Sequence, residues 1–156
     1  MDTSYNERNR VQTQRLKRLR RLSDEDLRRP IGEHWTVAVA LAHIQHWDGR
    51  AVGALEAWRC HGLPLTLWTD REGTVVNDVR LPFWRELAPR EALERAIKTA
   101  EALDRIVADL SPAEAEAVAA QRYRVLDRSL HRSEHLDEID RVLGIQISEK
   151  AARRAL

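Results

Sequence analysis

The sequence is poor in the residues that cross-link chains or interrupt helices. It has one cysteine, six glycines and five prolines in 156 residues. The lone Cys60 excludes an internal disulfide, and a chain without disulfides fits a reducing compartment, so we expect a cytoplasmic protein. The scarcity of glycine and proline favours long helices over strands and turns.

Long apolar runs and an excess of charge of one sign are also absent. No stretch approaches the roughly 20 apolar residues of a membrane span, so we expect no membrane contact. The first ten residues, MDTSYNERNR, are polar, and we expect no signal peptide there. The 26 basic and 25 acidic side chains leave a net charge of +1, which gives no general attraction to nucleic acid. Residues 15–22, RLKRLRRL, carry leucines among the basic residues and predict a solvated amphipathic helix instead.

The remaining composition is that of a helical globular protein. Hydrophobic residues make up 43% and charged residues 33%, which predicts a single domain over residues 1–156. A first helix is predicted over about residues 5–22. A second follows the N-cap residue Thr36 and ends at Gly62, and a third begins with Pro89 at its first position.

A fourth long helix is predicted between Asp127, as its cap, and Gly144. Residues 62–78 contain Gly, Pro, Asp and Thr and predict a long connection, followed by a short helical piece over about 79–87. Four long helices with one long crossover predict an all-α four-helix bundle.

Three of the six histidines fall on helix faces that the apolar spacing turns inward. On the second helix this stripe contains Ala40, His43, Trp47, Ala51, Ala54 and Trp58, and on the fourth it contains His131, His135, Ile139 and Val142. Because residues four apart return to nearly the same helix face, His131 and His135 can converge on one ion, with His43 as a third ligand. The alternative is that each is a core histidine with one hydrogen bond.

The predicted ion has an open position. Cys60 lies near the far end of the helix that carries His43 and cannot reach the same ion. No carboxylate lies squarely on either stripe. Three imidazoles with an open fourth position are typical of catalytic zinc, whereas structural zinc is closed by four protein groups.

Five neighbouring residues are candidates for supporting roles. His46 is either a fourth ligand or a group that supports the ligands, and Trp47 either walls a pocket or fills the core. Glu138 either accepts a ligand N–H and fixes its tautomer or belongs to a solvated acidic face. Trp68 and Trp84 lie near the predicted crossover and are candidates for the rim of a pocket.

Two segments resemble a known family. HWTVAVALAHIQHWD, in which His43 lies eight residues after Trp35, resembles the second-helix signature of the DinB-like superfamily, which includes the mycothiol-dependent maleylpyruvate isomerases. LHRSEHLDEIDRVLG, with His131 and His135, resembles its last-helix signature. The resemblance covers roughly residues 5–145.

The resemblance implies an up-down-down-up four-helix bundle in which His43, His131 and His135 bind a divalent metal such as zinc or nickel. It also implies a homodimer and admits a low-molecular-weight thiol cofactor such as mycothiol or bacillithiol. The chain shows no sign of the second domain that the maleylpyruvate isomerases carry, so that particular isomerase activity does not follow.

Three functions compete at this point. The first is a metal-dependent enzyme acting on a small molecule, either a thiol-dependent transferase or isomerase or a hydrolase. The second is a non-catalytic protein that binds or sequesters a small molecule, and the third is a dimerisation module with core histidines. Three protein ligands leave one position on the ion open, which favours the enzyme. The sequence does not predict the substrate.

Overall fold

The computed structural model describes residues 4–65 and 70–145, which are almost entirely helical. Within these residues a 3-10 turn at Leu19–Arg21 prolongs the first helix, and two short antiparallel strands, β1 (Pro30–Ile31) and β2 (Trp35–Thr36), precede the third. The predicted all-α class is confirmed. The helices are α1 (Tyr5–Arg18), α2 (Asp24–Leu27), α3 (Val37–His61), α4 (Asp70–Glu86), α5 (Pro89–Ala108), α6 (Pro112–Leu126) and α7 (Ser129–Leu143).

Helices α1, α3, α5 and α7 supply most of the main core. Helix α3 packs against α5 and α7, and α1 packs against the same two helices. Thr13 donates a hydrogen bond to Asp104, and Lys17 pairs with Glu101, so α1 and α5 run in opposite directions. The up-down-down-up order stays a prediction with which these pairings agree. No helix among the described residues is long and apolar enough to cross a membrane.

The helix boundaries follow the local chemistry of the sequence. The Thr36 hydroxyl accepts a hydrogen bond from the Val39 N–H at 3.2 Å, as an N-cap does. Gly62 and Gly144 end α3 and α7 with φ of 66° and 65°, where a glycine carries no steric penalty. Asp127 lies one position before the N-cap of α7, and its side chain instead accepts the Ser129 N–H at 3.1 Å.

The predicted connection over residues 62–78 is wrong from residue 70 onward, because α4 begins there and runs to Glu86. Its weak helix formers are held by contact with α3. The indole N–H of Trp47 donates to the Asn77 side chain at 3.1 Å, and a β-carbon at Gly73 would lie 3.7 Å from the same indole. Tertiary packing therefore outweighs the low propensity of this segment. Trp68 lies outside the described residues.

The outer face of α4 carries a row of exposed apolar side chains, which we call the α4 stripe. Its members are spaced four residues apart and each is more than half exposed. They are Val75, Val79 and Phe83, exposed by 58%, 61% and 59%.

The buried face of α7 differs from the predicted stripe by about one position. Buried there are Ser129, Arg132, Leu136 and Ile139, whereas His131 and His135 are half-buried beside them. On α3, His43 and Ala51 are buried as predicted, while Trp47, Ala54 and Trp58 are half-buried. His131 and His135 therefore lie at the edge of the core, whereas His43 lies within it.

Candidate metal centre

The structure brings the three predicted histidines together. One ring nitrogen from each of His43, His131 and His135 lies within 4.8 Å of the other two. His43 is only 4% exposed, and its Nε2 lies 3.1 Å from the Nε2 of His131. His135 completes the group, with its ring centre 4.5 Å from that of His43 and 5.0 Å from that of His131. Metal ligation by these residues stays a prediction, and the convergence it requires is present.

Burial keeps the rings of His43 and His131 neutral. Burial, reinforced by the neighbouring histidines and Arg128, lowers the pKa of His43 from 6.5 to about 2. Burial also lowers the pKa of His131 to about 2, with the charge of Arg128 as the next cause. A neutral imidazole is the form that ligates a metal, because the ligating nitrogen must offer a lone pair.

The Nδ1 atoms of the three rings have different surroundings. His135 Nδ1 lies 3.2 Å from a carboxylate oxygen of Glu138, the contact anticipated for that residue. His131 Nδ1 lies 3.0 Å from the Nη2 of Arg128. The Nδ1 of His43 is buried without a hydrogen-bond partner among the described residues.

Indole rings wall the group on two sides. Trp35, which the sequence analysis had not placed at the site, stacks on His135 with ring centres 5.8 Å apart and lies 4.8 Å from His43. Trp84 is 5% exposed and lies 5.4 Å from His43, so it forms a buried wall and not a rim. Trp47 is half-buried, edge-on to His43 at 6.3 Å. Helical periodicity could not predict that Trp35 lies at this site, because Trp35 belongs to β2 and precedes α3.

His46 lies beside the group and not within it. Its ring centre is 5.7 Å from Trp84 and 5.3 Å from Trp47, and it is not one of the residues whose nitrogens converge. Burial, followed by the charges of Arg80 and Arg50, lowers the pKa of His46 to about 4. His46 is thus not part of the converging group, and a supporting role for it stays a prediction.

A buried ion network that the sequence patterns did not predict lies beside the histidine group. No carboxylate lies squarely on either predicted stripe, but Asp48, one position after Trp47 on α3, is completely buried. Asp48 accepts hydrogen bonds from Arg132 Nε at 2.7 Å and from Arg128 Nε at 3.0 Å, so each of its two carboxylate oxygens is paired with an arginine. Arg132, also completely buried, donates further to Asp104 at 2.8 Å and to Thr13 at 3.0 Å. The available signal was the spacing of Arg132 from Leu136 and Ile139, which puts a charged residue on an apolar face.

Comparison with known families supports the resemblance seen in the sequence. A family model described as the DinB superfamily matches residues 7–142. The chain belongs to the DinB superfamily. The matched range reaches from α1 into α7 and includes all three histidines of this DinB protein. Among curated proteins and solved structures, the comparisons found no match to the chain.

Proposed function

We propose that this DinB protein is a metal-dependent enzyme in which His43, His131 and His135 hold a divalent ion, zinc or nickel. The observation that supports this most directly is the convergence of three imidazole nitrogens, one from each ring, within 4.8 Å. No fourth histidine, cysteine or carboxylate belongs to that group in the described ranges 4–65 and 70–145. Imidazole ligands suit zinc and nickel, and three of them leave a position for a substrate.

The surrounding residues fit such an ion. Glu138 can accept the Nδ1–H of His135, which fixes the tautomer whose Nε2 lone pair is free. Trp35 and Trp84 pack against the rings of His135 and His43. When bound, the ion supplies Lewis-acid chemistry, since it lowers the pKa of a thiol or water and polarises a carbonyl.

The substrate is proposed to be a small molecule that enters at the edge of the core beside the half-buried His131 and His135. Two reaction classes use this ligand set. A transferase or isomerase would employ a low-molecular-weight thiol such as mycothiol or bacillithiol, and a hydrolase would employ water. We also propose a cytoplasmic location, because Cys60 is a free, exposed thiol.

Metal stoichiometry tests the proposal. The wild-type chain, purified without chelators and dialysed against zinc or nickel, should retain one ion per chain by elemental analysis. His43→Ala and His131→Ala should each lose it, whereas the matched control His61→Ala, at an exposed position on the same helix as His43, should keep it. A wild-type chain that retains neither metal would contradict the proposal. Stoichiometric metal without turnover of thiol-dependent or hydrolytic substrates would favour a binding protein over an enzyme.

A further inference from the structure

Arg128 joins the buried ion network to the histidine group. Its side chain is 11% exposed, its Nε donates to Asp48 at 3.0 Å, and its Nη2 lies 3.0 Å from His131 Nδ1. No other arginine makes a hydrogen bond to a ring of the triad among the described residues. The guanidinium therefore occupies the position where a ligating histidine ordinarily meets a hydrogen-bond acceptor.

The direction of this hydrogen bond is fixed by chemistry. An arginine side chain has only donors, so His131 Nδ1 must accept. A neutral His131 then carries its proton on Nε2, and that atom lies 3.1 Å from His43 Nε2, to which it donates. Because His43 Nε2 accepts this hydrogen bond, a neutral His43 carries its proton on Nδ1. That atom is buried and has no hydrogen-bond partner among the described residues. The nitrogen of His131 that faces the group thus holds a proton where a ligand needs a lone pair.

His135 shows the opposite arrangement. Its Nδ1 faces the carboxylate of Glu138 at 3.2 Å, which favours a proton on Nδ1 and a free lone pair on Nε2. His135 and His131, one helical turn apart, therefore have different tautomers. The Nε2 of His135 has a free lone pair for a metal, whereas the Nε2 of His131 carries a proton. The difference comes from a single residue on each side, Arg128 and Glu138.

We propose that Arg128 is a positioning residue that holds the metal-free His131 in the non-ligating tautomer and must release His131 Nδ1 when the metal binds. The inference rests on the proposed function. The release moves one proton from Nε2 to Nδ1 of the same ring through solvent, so the charge of the ring is unchanged. Asp48 remains as the acceptor for the released guanidinium, which therefore does not become an unpaired charge.

Zinc titration of Arg128→Gln tests this. The glutamine amide has an oxygen that can accept the Nδ1–H, and it carries no charge. Because groups that contact ligating histidines change metal affinity by about 10- to 100-fold, we expect Arg128→Gln to bind zinc at least about tenfold more tightly than wild type. The matched control is Arg124→Gln, since the charge of Arg124 also acts on His131 but its exposed side chain makes no hydrogen bond to the ring among the described residues. Arg124→Gln should leave the affinity unchanged. Equal or weaker binding by Arg128→Gln, or equal tightening by both variants, would overturn the inference.

Tautomer measurement by nuclear magnetic resonance gives a second readout that needs no variant at Arg128. Long-range proton–nitrogen spectra of the metal-free wild type should show His131 protonated on Nε2, and zinc should convert it to the Nδ1–H form. Loss of the signal in His131→Gln assigns it. An Nδ1–H tautomer in the metal-free protein would refute the role of Arg128 while leaving the metal site intact. Absence of zinc binding in both wild type and Arg128→Gln would instead refute the proposed function, and this inference with it.

Discussion

The buried ion network allows the sharpest stability prediction, the replacement of Asp48 by alanine. Asp48 and Arg132 are both completely buried and are joined at 2.7 Å, and Asp48 also holds Arg128. Removing the carboxylate leaves Arg132 Nε without its acceptor in a water-free core, although its Nη1 keeps Asp104 and Thr13. Breaking a buried pair from one side costs about 3–5 kcal/mol, and the surviving contacts put our expectation near about 3 kcal/mol.

Urea unfolding followed by circular dichroism measures this loss. A loss of about 3 kcal/mol is large compared with the total unfolding free energy of a domain, about 5–15 kcal/mol, and should lower the urea midpoint clearly. The matched control is Arg20→Ala, which breaks the exposed pair with Glu94, whose side chains are 51% and 45% exposed, and should leave the urea midpoint almost unchanged. The double variant Asp48→Leu, Arg132→Met should be more stable than Asp48→Ala, because it leaves no stranded charge at this pair. A loss below about 1 kcal/mol for Asp48→Ala would refute the account of the network.

Three further predictions concern the histidines and the surface. Burial lowers the pKa of His43 and His131 from 6.5 to about 2, so below pH 6.5 the unfolded chain takes up protons that the folded chain does not. In the metal-free protein the free energy of unfolding should therefore be highest above pH 6.5 and decrease below it. The two groups together should lower it by about 4 kcal/mol between pH 7 and pH 5. A pH-independent urea midpoint over that range would contradict this. His135→Ala should abolish zinc binding by elemental analysis yet keep a cooperative thermal transition, since apolar burial supplies most of the stability; an unfolded variant would show that His135 is structural. The protein should be a homodimer whose interface includes the α4 stripe, and Phe83→Asp should be a monomer. Light scattering at micromolar concentration measures both masses, and a monomeric wild type would contradict this prediction.

The sequence predicted those features that depend on local chemistry. Thr36, Gly62, Pro89 and Gly144 each mark a helix boundary because capping and the conformational restrictions of proline and glycine act within a few residues. The i, i+4 spacing of the last two histidines likewise fixed their common face. The all-α class followed from composition and spacing together.

Features that depend on contacts between distant segments could not be predicted in the same way. The segment around Gly73 and Asn77 has low helix propensity, and its helical state depends on Trp47 from another helix. The burial of Arg132 depends on Asp48 and Asp104, which lie on two other helices and supply the charges that make it tolerable. A helical stripe shifted by one residue fits the same period, so only these partners decide which face of α7 is buried.

The most direct test of the central claim is a crystal structure of the wild-type protein grown with zinc and measured at the zinc absorption edge. The account predicts one anomalous peak per chain, about 2.0–2.1 Å from a ring nitrogen of each of His43, His131 and His135, with only solvent or a small molecule in the remaining position. A peak located elsewhere, or a fourth protein side chain that completes a tetrahedron around the ion, would contradict a catalytic metal centre at this site.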